Sequence, residues 1–126
     1  MYQSVYIPAT EETPDIILNP EDKRLEIAGR AYPENANYLF DPILEWIENY
    51  YQISQTEPLE LIIKLEYYNS ASAKKMTQIL YVLDKYYKQG AKIKIKWYYK
   101  ADDKILEEKA KEILQNTIIP YQILEF

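Results

Sequence analysis

The side chains best suited to chemistry stand in one short run, Tyr67-Tyr68-Asn69-Ser70-Ala71-Ser72, with Lys74 and Lys75 close behind. Alternating apolar residues precede this run and apolar residues at helical spacing follow it, so it marks a strand-to-helix junction. Asn69 or Ser70 there can accept from the free amides of the first helical turn, a gain of about 1 kcal/mol. The same position suits Ser70 as a phosphoryl acceptor. A phosphoserine adds about −1.5 to −2 charges beside the positive end of the helix, so the fold survives while its surface charge changes sharply. Lys74 and Lys75 can neutralise part of that charge. Simple capping and a modification switch therefore both read from these residue types.

A second cluster is Tyr32-Pro33-Glu34-Asn35, a proline-fixed turn offering a carboxylate and an amide where a strand gives way to a helix. A turn with a helix cap explains it, as does a binding edge. Asp102-Asp103 with Glu107-Glu108 could ligate a hard cation, although acidic residues in a first helical turn need no metal to explain them. The expectation is no metal and no cofactor.

What the chain lacks narrows the chemistry. It has no histidine and no cysteine, which removes serine–histidine catalysis, histidine–zinc sites, phosphohistidine relays and thiolate nucleophiles. Only two glycines occur, Gly29 and Gly90, so no glycine-rich phosphate loop can form. A carboxylate hydrolase built on Glu34 has no paired carboxylate at a distinctive spacing. The expected protein is not an enzyme.

The elements that must position the two clusters follow from periodicity. Lys23–Gly29 alternates as a half-buried strand, and a helix follows with Leu39, Phe40, Ile43, Ile47 and Tyr50 on its apolar stripe. Leu59–Tyr67 is a second strand, with Leu59, Leu61, Ile63, Leu65 and Tyr67 expected on one side. The helix after the junction carries Met76, Ile79, Leu80, Leu83 and Tyr87, and Gly90 ends it. A lysine-alternating strand runs over 91–99, a third helix over 102–115, and 118–126 is a short closing strand. The opening 20 residues, broken by Pro8, Pro14 and Pro20, are expected to wrap an edge.

Strand–helix alternation implies parallel crossovers. Three strands carry charged residues on one side, so that face of the sheet is wet. The expected architecture is a single α/β domain over residues 1–126, with a mixed sheet and helices packed mainly on one face. The two clusters then sit together at the carboxyl ends of neighbouring strands, where α/β sheets bind things.

Net charge is −5, which argues against nucleic acid, and it is uneven. Residues 1–66 hold 13 acidic against 4 basic residues, and residues 67–126 hold 7 against 11. Solvated faces or a dipolar surface that orients a partner both account for this. Fourteen tyrosines, many in pairs, suggest one ring of each pair in the core and one at the surface. No apolar run spans a membrane and no export signal is visible, so the expected location is cytoplasmic.

"TPDI", "G-x-A-YPEN", "F-x-P-I-x-x-W-I", "YYNSAS-x-K" and "W-Y-Y" occur in this order between about Thr13 and Ile123. In that combination the chain resembles the SiaC family of bacterial regulatory phosphoproteins, similar to STAS-type anti-sigma-factor antagonists. The resemblance implies a partner switch set by a serine/threonine kinase and a PP2C-type phosphatase. In the best-known branch the unphosphorylated form activates a diguanylate cyclase, affecting cyclic-di-GMP and biofilm formation. The family's acceptor threonine lies in a "Y-x-N-T-S-S" motif and matches Ser70. Ala71 replaces the next hydroxyl residue, leaving Ser72 as the nearby competitor, and Ala31 replaces the serine common before "YPEN". A partner surface of Tyr32, Glu34, Asn35, Tyr68, Asn69, Ser72 and Lys74 around Ser70 is expected. The alternative from another class is a small-molecule-binding module using the tyrosine-rich strand ends, which requires a concave apolar pocket.

Overall fold

A computed structural model describes residues 4–126. Six strands form one sheet in chain order: β1 (Val5–Ile7), β2 (Asp15–Asn19), β3 (Arg24–Ala31), β4 (Leu59–Tyr68), β5 (Ile93–Tyr99) and β6 (Tyr121–Glu125). Three helices join the last four: α1 (Ala36–Ile53), α2 (Ser70–Lys88) and α3 (Lys104–Leu114). β1, β2 and β3 pair antiparallel, and β3 to β6 pair parallel. The opening segment, of which residues 1–3 lie outside the described residues, therefore adds two strands to the sheet instead of only wrapping it. Pro8, Pro14 and Pro20 fall outside these strands, where no ladder amide is needed.

Each parallel crossover steps one strand in the same direction. Right-handed connections of that kind place every helix on one face. Burial agrees with this. Leu25, Ile27, Leu59, Leu61, Ile63, Ile93, Ile95 and Trp97 are buried on the helix side. Glu26, Glu60, Ile62, Lys64, Lys94 and Lys96 on the other side are half-buried or exposed. The mixed sheet with one wet face matches the expectation.

Part of the charge asymmetry is met by ion pairs inside the chain. Acidic α1 is clamped to basic α2 by Lys75–Asp41 at 2.8 Å and Lys85–Glu48 at 3.2 Å, and Glu60 takes Lys94 and Lys96. Each pair joins one half of the sequence to the other.

Two packing expectations change. Tyr50 and Tyr51 are both fully buried. Tyr50 stacks on Trp46 and donates to the Pro58 carbonyl, while Tyr51 stacks on Tyr86 of α2 at 4.4 Å. A helix wedged between a sheet and a neighbouring helix buries adjacent positions, which one amphipathic stripe does not anticipate. In β4 the alternation slips. Leu65 and Tyr68 are buried, whereas Glu66 and Tyr67 are both exposed. The β3–β4 register shifts between Gly29 and Arg30, so Arg30 lies opposite Tyr67 and Ala31 opposite Tyr68. The extra residue is Glu66 in β4, and opposite it Gly29 sits at φ +115, a conformation unfavourable for any residue with a Cβ.

Candidate functional site

The register that pairs Ala31 with Tyr68 brings the two clusters to one end of the sheet. β3 leads into the Tyr32–Asn35 turn and β4 into Asn69–Ser72, side by side. The Asn69 N–H donates to the Ala31 carbonyl at 2.9 Å, extending the ladder one step past both strands. Beyond it, the Tyr32 N–H donates to the Glu12 carbonyl at 2.9 Å, which ties the turn to the opening segment.

Both helices that start here are capped by asparagine. The Asn35 side chain accepts from the Tyr38 N–H at 3.2 Å, and the Asn69 side chain accepts from the Ser72 N–H at 2.9 Å. Asparagine at this position satisfies one of the free amides of the first turn. Because Asn69 is the cap, Ser70 is released from that task. It is the first residue of α2 and is exposed, its hydroxyl standing at the positive end of a 19-residue helix.

The expected partner residues divide by burial. Glu34, Asn35 and Lys74 are exposed, and Tyr32 and Asn69 are partly so. The Tyr32 ring meets the Tyr67 ring edge-on at 5.5 Å, next to the Arg30–Glu66 pair at 3.5 Å. Tyr68 and Ser72 do not belong to that surface. Tyr68 is 2% exposed and Ser72 is fully buried. Tyr68 packs edge-on against Trp97 at 6.2 Å, with the Lys109 ammonium 5.9 Å from its ring centre. The cause is the register shift, which turns Tyr67 outward and Tyr68 inward. Ser72 follows one helical half-turn behind exposed Ser70, and so points at the sheet.

Neither the Tyr68 hydroxyl nor the Ser72 Oγ has a hydrogen-bond partner among the described residues. Burial, with the negative charges of Glu112 and Asp103 behind it, raises the Tyr68 hydroxyl above its ordinary pKa. Lys75, expected beside Lys74 as a neutralising charge, is held by Asp41. Lys74, four residues on from Ser70, is exposed.

Other candidate groups have structural tasks. Asp103 caps α3 by accepting from the Leu106 N–H at 3.0 Å. Glu107 accepts from the Tyr99 hydroxyl at 3.2 Å and pairs with Lys111. Among the described residues no group of three or more carboxylates is placed to hold a metal ion. The tyrosine-rich strand ends form a small hollow lined by Arg30, Tyr32, Glu66, Tyr67, Lys100 and Asp103, charged instead of apolar. A larger open groove beside the start of α1 is lined by apolar Ile7, Leu39 and Pro42 and by acidic Glu11, Glu34 and Asp41. Tyr38, 85% exposed, stands at this groove and was missed in the sequence because it falls off the apolar stripe of α1.

The chain with this fold has known relatives. Residues 7–126 match the model of the SiaC family of regulatory phosphoproteins. The chain belongs to the SiaC family. It is 33% identical over 119 residues to the Pseudomonas aeruginosa (strain UCBPP-PA14) protein PA14_02130, covering 94% of each chain. It superposes on the crystal structure of apo-SiaC from Pseudomonas aeruginosa with a TM-score of 0.89 and 33% identity, covering 97% and 98% of the two chains. A chain in the crystal structure of the diguanylate cyclase SiaD with its activator SiaC gives a TM-score of 0.91 and 32% identity, covering 97% and 99%. Ser70, expected as the acceptor from the sequence, is exposed at this end of the sheet. Among the described residues no helix is long and apolar enough to cross a membrane.

Proposed function

We propose that this SiaC-family protein is a cytoplasmic, non-enzymatic partner switch whose state is set by phosphorylation of Ser70. The observation that carries this reading is the division of labour at the junction. Asn69 holds the helix cap, so Ser70 is exposed and free to be modified without dismantling the first turn.

The unmodified surface around Ser70, with Asn69, Lys74 and the Tyr32–Asn35 turn, binds an effector protein. The Pseudomonas aeruginosa SiaC is the activator of a diguanylate cyclase, and a cyclase of that class is the proposed effector. A phosphate on Ser70 would bring about two negative charges into the contact, with exposed Lys74 four residues on as a counter-ion. Burying a phosphate against a surface that cannot pair it costs several kcal/mol, enough to abolish a moderate interface. A serine/threonine kinase adds the group and a PP2C-type phosphatase removes it. Ser72, being buried, does not compete as acceptor.

The test is capture of a purified diguanylate cyclase by the native protein, Ser70→Ala and Ser70→Asp. The native protein and Ser70→Ala are expected to bind, and Ser70→Asp to bind at least tenfold more weakly. Intact mass of protein from its own host, heavier by one phosphoryl group localised to Ser70, supports the acceptor assignment. Equal capture by all three forms refutes the switch.

A further inference from the structure

We propose that a second copy of this chain pairs through β6, joining two sheets edge to edge. Among the described residues β6 closes the sheet and is bonded on one side only. Its ladder parity is set by three bonds: the Pro120 carbonyl accepts from the Ile95 N–H at 3.1 Å, the Phe126 N–H donates to the Tyr99 carbonyl at 2.9 Å, and the Phe126 carbonyl accepts from the Ala101 N–H at 3.0 Å. Along a strand the direction of the main-chain groups alternates from residue to residue. Even-numbered residues therefore bond to β5, and the N–H and C=O groups of Tyr121, Ile123 and Glu125 point off the edge.

Exposed edges are usually guarded by proline, lysine, a bulge or brevity. β1, at the other edge, has three residues and is followed by Pro8. β6 has five residues, Tyr-Gln-Ile-Leu-Glu, with a single charge at Glu125, no proline or lysine, and an unbroken register to β5. Around it Ile118, Tyr121 and Phe126 are 50%, 41% and 38% exposed.

The edge is self-complementary, which selects a second copy as its occupant. Antiparallel pairing about a two-fold axis at Ile123 sets Ile123 opposite itself and Tyr121 opposite Glu125 of the partner subunit. Every outward group then finds a partner, since each such pair exchanges two bonds. No charge faces a like charge. The two-fold contact closes on itself, so it gives a dimer and not a filament. Five residues per copy make a small contact, so the dimer is reversible. β6 lies two strands away from β4, whose end leads to Ser70, so the pairing does not depend on the proposed switch.

Sedimentation of the full chain over about a hundredfold range of concentration should show the mass rising from 15.1 kDa toward twice that value. Gln122→Lys with Leu124→Lys, both on the wet face, sets lysines opposite lysines and should hold the protein at the single-chain mass with unchanged circular dichroism. The chain has no cysteine, so Ile123→Cys gives a clean crosslinking probe. At the axis its Cα atoms would lie about 5.5 Å apart, within disulfide reach. Ile123→Cys should crosslink on oxidation, whereas Val5→Cys on the opposite edge should not. A single-chain mass throughout with no Ile123→Cys crosslink overturns the proposal. So does a dimer that the paired lysines leave intact.

Discussion

The amide of Asn69 donates to the carbonyl of Ala31 across 2.9 Å, and this one bond fastens the start of α2 to the end of β3. Asn69 then caps the helix with its side chain, bonded to the Ser72 N–H. The residue before the candidate acceptor thus belongs at once to the sheet and to the helix, and Ser70 inherits a rigid base.

Replacing Asn69 with alanine removes the side-chain cap and leaves the backbone bond. Stability should fall by about 1 kcal/mol, read from the denaturant midpoint at unchanged slope. Asn69→Asp should lose little, because aspartate accepts the same bond and adds favourable charge at the helix start. A loss of equal size in Asn69→Asp would mean that the side-chain bond is not what stabilises the junction.

Ser70→Asp should not lower the melting temperature. The side chain is exposed, and a negative charge in the first turn of α2 stabilises by about 0.3–1 kcal/mol. This matters for the binding test: lost effector capture by Ser70→Asp can be assigned to the surface only if the fold is intact. A melting temperature several degrees below that of the native protein would remove that assignment.

Tyr68→Phe and Ser72→Ala each delete a buried hydroxyl that has no partner among the described residues. Removing an unpaired buried polar group relieves its desolvation cost, so both variants should match or exceed the native stability, by up to about 1 kcal/mol. Both should also bind effector normally, since neither side chain reaches the surface. A clear loss of stability in either one would show a hydrogen bond that the structure does not contain.

The periodicity carried most of the architecture. Alternating charge on the strands foretold a wet sheet face, and the order of strands and helices foretold parallel crossovers that bring Asn69 and Tyr32 to one edge. The burial of Tyr68 and Ser72 was not legible. It depends on the register shift between β3 and β4, where Glu66 is an extra residue that the alternation of apolar residues does not announce. The tie between Lys75 and Asp41 was hidden for a related reason. It joins residues 34 positions apart, and only the packing of α1 on α2 brings them together. The two antiparallel strands at the start were obscured by prolines, which punctuate both irregular segments and edge strands.

Alkaline conditions should unfold the protein through its tyrosines. Burial, then hydrogen bonds and charge from Glu125 and Glu107, push the Tyr99 hydroxyl up to about 12 from the ordinary value of 10.0. Tyr51 and Tyr68 are raised as well, chiefly by burial. A raised folded-state pKa means that the native state holds its proton where the unfolded chain releases it. The stabilisation is therefore complete below pH 10 and is lost as pH rises through about 12. Unfolding midpoints measured from neutral to strongly alkaline pH should be flat up to about pH 10 and then fall. In Tyr99→Phe, whose level of stability will differ, the decline above that point should be shallower. An identical slope would show that Tyr99 titrates alike in the folded and unfolded chains.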